Sequence, residues 1–63
     1  MSAEDFAAWL RHMNLSDAAA ARILDLSRNI IAKYKAEGAP RHIGLACAAL
    51  AYGLPAWRSV VPA

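Results

Sequence analysis

Cys47 is the only cysteine in the chain, so no internal disulfide can form, and a reducing compartment suits it best. With only His12 and His42 as further candidate ligands, no zinc set of the usual spacing exists, and no metal or other cofactor is expected. Charge is scarce too. A net charge of +2 is too small to identify a partner by itself. Near the N-terminus no positive segment leads into an apolar one, so no secretory leader is expected and a cytoplasmic location follows. The longest apolar run, Ile43 to Trp57, falls short of the ~20 residues that span a bilayer, and Gly53 and Pro55 break it, which argues against a membrane segment. No acid, base and nucleophile set stands out in so few residues. The chain is therefore not expected to be an enzyme, and no small-molecule ligand is evident.

What is abundant is apolar residues, 59% of a 63-residue chain, with alanine prominent among them. This length makes one domain over 1–63, near the lower limit for a self-sufficient core. A small chain with apolar residues to spare often completes its core against a second copy, so a homodimer is expected. Periodicity makes the fold class all-α. Ser2 with Asp5 three residues on resembles a capping arrangement, and Phe6, Trp9, Leu10 and Met13 follow at helical spacing. The spacing predicts a first helix from about Ala3 to Met13, stopped near Asn14. Trp9 lies within its apolar stripe and reads as a core anchor, and His12 falls on the polar side.

Leu15 to Glu37 is the stretch that the rest serves. Ser16 is a good N-cap for a helix through Ala18 to Leu24, with Ala20, Ala21 and Leu24 on one face. Asp25 and Leu26 interrupt that pattern. Ser27 is a second N-cap, for a helix from Arg28 to Glu37 closed by Gly38. The alanines let the second helix cross close over the first. Two helices joined steeply by a turn of about 3–4 residues form a helix-turn-helix unit, here over about 16–37. The turn near Asp25 calls for a left-handed or bridging backbone, which glycine adopts most easily and Asp tolerates better than most.

The second helix of the pair has two unlike faces. Ile30, Ile31 and Tyr34 make a core stripe, while Arg28, Asn29, Ala32, Lys33 and Ala36 gather opposite, with Lys35 on the flank. A fork donor, an amide and an ammonium around a small residue suit a helix entering a major groove. Arg pairs bidentately with guanine, Asn with adenine, and an Ala methyl touches a thymine methyl. A solvated polar face is the plain alternative for any surface helix. The charge distribution favours the first reading. Glu4, Asp5, Asp17 and Asp25 outweigh Arg11 and Arg22 over 1–25, whereas Arg28, Lys33, Lys35, Arg41 and Arg58 face only Glu37 over 26–63.

After Gly38 and Ala39, Pro40 suits a first helical position, and a fourth helix is predicted over about 40–52. It carries two apolar stripes, Ile43, Ala46, Cys47, Leu50 and Leu54 on one side and Leu45, Ala48, Ala49 and Tyr52 on the other. A helix apolar all round is normally buried all round, so one stripe packs on the other helices and the other meets a partner. Leu45, Ala49 and Tyr52, extended by Trp57 and Val60 in the tail over 54–63, are the candidate dimer interface. Cys47, among Ala and Leu neighbours, reads as a buried inert thiol.

Leu15, Ser16, Ala20, Ala21, Leu24, Leu26, Ser27, Ile31 and Tyr34 match the pattern L-T-x-x-x-A-A-x-x-L-G-V-S-x-x-x-V-x-x-W. With the following APRHIGLACAAL, this stretch resembles the Cro- and lambda-repressor-like helix-turn-helix proteins, over about Phe6 to Leu54. The resemblance implies a compact bundle of four or five helices that binds operator double-stranded DNA, usually as a dimer. Free-standing members this short are similar to regulators of phages and mobile elements, including those that accompany anti-CRISPR genes. By the match, the helix at Arg28 to Glu37 is the recognition helix, with Arg28, Asn29, Ala32 and Lys33 as base readers. Ser16, Ser27, Lys35 and Arg41 are phosphate candidates, the serines being caps first, and His42 either touches phosphate or is merely exposed. Two departures stand out: Asp25 replaces the usual glycine, and Asp17 stands where a phosphate-contacting glutamine often begins the first motif helix. An acid there repels phosphate, so that contact is not expected. The expected function is thus a dimeric repressor at an inverted repeat near a promoter. The rival is an all-helical protein–protein module, an inhibitor or adaptor, that uses the apolar face of the fourth helix.

Overall fold

Three of the four helices begin on a serine. The computed structural model of the chain describes residues 1–58, and among these it contains four helices and no strand. They are α1 (Ala3–Met13), α2 (Asp17–Leu24), α3 (Arg28–Glu37) and α4 (Arg41–Ala51). Ser2, Ser16 and Ser27 take extended backbone conformations, and each Oγ accepts from the backbone N–H three residues on, at Asp5, Ala19 and Ile30. Each such bond satisfies one of the donors that a helix start leaves unpaired. Glu4 and Asp5 add negative charge in the first turn of α1, where the helix dipole favours it.

The stops are equally local. Asn14 ends α1 and Asp25 ends α2, both in the left-handed region, at φ 54° and φ 58°. In each case the next residue's N–H turns back onto the finished helix, Leu15 to the Leu10 carbonyl and Leu26 to that of Ala21. Gly38 ends α3 at φ 92°, ψ 172°. Pro40 is the N-cap of α4 and not its first helical residue: φ −61° fits a helix, but ψ 161° is extended. The helix also ends sooner than its apolar pattern, because Tyr52 and Gly53 turn the chain. Leu54 therefore leaves the Ile43 stripe and is exposed.

The core forms where α1 packs on α3 and α4, and α2 packs on α3. Phe6, Trp9, Leu10, Ala20, Ala21, Ile31, Ile43 and Cys47 are buried. At its centre, Phe6 lies 5.8 Å from Trp9 and 5.6 Å from Tyr34, the latter edge to face at 82°. Such aromatic pairs add about 0.5–1.5 kcal/mol to the burial itself. The Trp9 Nε1–H donates to the Cys47 carbonyl at 2.9 Å, which ties α1 to α4 and leaves the indole's only donor satisfied inside the core. Ala20 and Ala21, two of the four alanines of α2, are buried, and α2 packs on α3.

A second tie joins the chain start to the α3–α4 connection. Met1 and Ala39 exchange two backbone bonds, Ala39 N–H to the Met1 carbonyl at 2.9 Å and Met1 nitrogen to the Ala39 carbonyl at 3.1 Å. Gly38 makes room for it, since a Cβ there would stand 2.8 Å from the Met1 oxygen. No helix among the described residues is long and apolar enough to cross a membrane.

Candidate nucleic-acid interface

The three residues between α2 and α3, Asp25, Leu26 and Ser27, decide how the two helices present themselves. Asp25 reverses the chain, half-buried Leu26 anchors the turn on the core, and Ser27 starts the next helix. With Ile31 buried and Ile30 and Tyr34 half-buried, the inward side of α3 is settled. Helical geometry then aims Arg28, Asn29, Ala32, Lys33 and Ala36 outward, and all five are exposed. The four expected base readers, Arg28, Asn29, Ala32 and Lys33, therefore share one open surface of one short helix. None of them takes part in the one ion pair among the described residues.

The expected phosphate group divides. Ser16 and Ser27 are exposed, with their hydroxyl oxygens already accepting cap bonds, so their O–H protons alone are left to donate. Arg41 and His42 are exposed in the first turn of α4. That helix is the only one of the four that starts without a side-chain cap, because Pro40 has no side-chain acceptor. Lys35 differs from the rest. Its Nζ donates to both carboxylate oxygens of Asp17, at 3.1 Å and 3.2 Å, across from α3 to the first turn of α2. The pair joins residues 18 positions apart that no local spacing in the sequence connects. The available signal was opposite charges at the start of one helix and near the end of the next, in a pair that folds back on itself.

The candidate interface between copies is also on the surface. Leu45, Tyr52 and Trp57 are exposed, Trp57 to 90%, and Ala49 is half-buried. Val60 lies outside the described residues. The opposite stripe of α4 packs inward through Ile43 and Cys47. Beside the outward one, Ile23, Ala46, Ala49, Leu50 and Leu54 line an apolar groove between α2 and the end of α4.

The remaining chemistry-bearing residues are dispersed. Burial pushes the Cys47 thiol above its ordinary pKa, against a smaller downward pull from the amino terminus, so the sulfur stays protonated and unreactive. His12 is exposed on α1. Among the described residues no three of the His, Cys, Asp or Glu side chains lie close enough to hold a metal ion. Compared with models of known protein families, with curated proteins and with solved structures, the chain finds no match.

Proposed function

We propose that the chain is a sequence-specific, DNA-binding transcriptional regulator built on a lambda-repressor-like helix-turn-helix, with α3 as its recognition helix. It acts as a homodimer on double-stranded DNA and represses a phage or mobile-element operon from an inverted-repeat operator near a promoter. The observation that carries this reading is the shared exposure of Arg28, Asn29, Ala32 and Lys33 on one face of α3. They form a compact set of donors around a methyl group, braced from behind by an alanine-surfaced helix. Two such helices in a dimer would enter successive major grooves about 34 Å apart. Arg41 and His42, exposed in the first turn of α4, are phosphate candidates without sequence information of their own.

The test is selection of bound duplexes from a random pool, with the mass of the complex measured on the winning sequence. An enriched palindrome bound by two chains is the expected result. Arg28→Ala should then reduce discrimination at one base pair by about 1–3 kcal/mol. Arg41→Ala should weaken all duplexes alike and lower the slope of log affinity against log salt by about 0.9. Failure to enrich any duplex, with both variants indistinguishable from the parent, would remove the proposal.

A second reading draws on a different observation, the apolar surface of Leu45, Tyr52, Leu54 and Trp57. It makes the chain an all-helical inhibitor or adaptor that docks a protein partner through α4. In that case substitutions at Leu45 or Tyr52 abolish function, while Arg28→Ala is silent.

A further inference from the structure

Lys35 is the one cation of α3 whose charge is already answered. The Asp17 carboxylate accepts from its Nζ at 3.1 Å and 3.2 Å, and the two side chains remain 39% and 44% exposed. An ion pair this open contributes little to stability, so holding the fold together is a weak reason for its existence. Its position is more informative. The pair borders an open hollow of about 320 Å³ between α1, α2 and α3, with Arg11 and Asn14 on the same wall. If α3 lies in a major groove, the helix that precedes it crosses the sugar–phosphate backbone, which brings the start of α2 and this hollow to the phosphates.

We infer that Asp17 attenuates the DNA affinity of this chain: its carboxylate occupies Lys35 in place of a phosphate, so that the chain binds every duplex more loosely than its cations would allow. The inference rests on the DNA-binding reading and adds to it a residue that governs strength without touching a base. The physical reason is charge balance. Arg28, Lys33, Arg41 and Arg58 are free of the pair, whereas Asp17 and Lys35 together present no net charge to an approaching phosphate. Replacing the acid by its amide leaves the side chain's shape and frees one ammonium. Each phosphate newly neutralised steepens the fall of log affinity with log salt by about 0.9. Base contacts are untouched, so the ratio of operator to random-sequence binding stays where it was.

The experiment measures binding of the parent, Asp17→Asn, and Asp17→Asn with Lys35→Ala, to labelled duplexes of random sequence and to the selected operator. Each is titrated over a range of salt concentrations, after circular dichroism has shown native helix content. Asp17→Asn is expected to bind both duplexes about three- to tenfold more tightly at low salt, with a slope steeper by about 0.9, and the gain should vanish near 1 M salt. The added Lys35→Ala should cancel most of the gain. Unchanged affinity of Asp17→Asn beside a parent that binds would overturn the inference alone. A gain that survives Lys35→Ala would also overturn it, since the acid would then act by repulsion without its lysine. Binding by neither the parent nor the variants to any duplex would overturn the DNA-binding reading and this inference with it.

Discussion

Asp25 sits at φ 58°, ψ 46°, a backbone conformation that costs an ordinary L-residue about 1–2 kcal/mol and glycine almost nothing. Asp25→Gly should therefore stabilise the domain by about 0.5–1 kcal/mol, less than the full strain because glycine also has more freedom to lose on folding. A thermal melt would show it as a rise of several degrees, at about 4–8 °C per kcal/mol for a domain of this size. Cys47 makes a different prediction. Its thiol is pushed up by burial, so in alkaline solution the unfolded chain gives up this proton before the folded one does. The resulting stabilisation is fully present below the ordinary thiol value of about 8.5 and is lost as pH rises through the higher folded-state value. Chemical denaturation across that range should show stability declining with pH, with the decline reduced in Cys47→Ala. A thiol reagent at neutral pH should modify Cys47 only at the rate of opening.

Helix ends were legible in the sequence wherever a single residue decides them. Ser2, Ser16 and Ser27 cap by reaching three residues ahead, and Asn14, Asp25 and Gly38 stop by adopting positive φ, so α1 and α3 begin and end where expected. Pro40 misled by one residue because its ring fixes φ but leaves ψ free to be extended. Leu54 misled because periodicity continues on paper after Tyr52 and Gly53 have ended the helix. The outward face of α3 was likewise readable, since Ile30, Ile31 and Tyr34 could have only one side. What could not be read were ties between elements. Trp9 to Cys47, Met1 to Ala39 and Asp17 to Lys35 join residues 38, 38 and 18 positions apart, and only the packed helices bring them together. The Met1–Ala39 tie supplies a prediction for the α3–α4 connection. Gly38→Ala needs both a positive φ of 92° and space that the Met1 carbonyl occupies, 2.8 Å from the new methyl. Strain and clash together should cost at least about 1–2 kcal/mol in equilibrium unfolding. Protection of the Ala39 amide in hydrogen exchange should fall with it.

For the molecule as a whole, the apolar residues outnumber the interior places available. Ile23, Leu45, Tyr52, Leu54 and Trp57 remain exposed, most of them on α4 and the segment beyond it. A second copy presents the same surface, and a two-fold pairing would bring identical patches together. If the proposed dimer forms through this surface, Leu45→Glu and Tyr52→Glu should each shift it towards monomer in sedimentation, by a dissociation change of about 2 kcal/mol or more where the residue is a central anchor. Under the proposed function, duplex binding should weaken in step, whereas the melting of dilute monomer should change little, because neither side chain belongs to the core. The two indoles occupy opposite surroundings, Trp9 sealed and hydrogen-bonded to Cys47, Trp57 bare to solvent. Ultraviolet emission from the native chain is consequently a superposition of a blue component and a red one. A collisional quencher such as iodide should extinguish the red share first, so that self-association and unfolding can be followed separately, at two wavelengths, in one unlabelled cuvette.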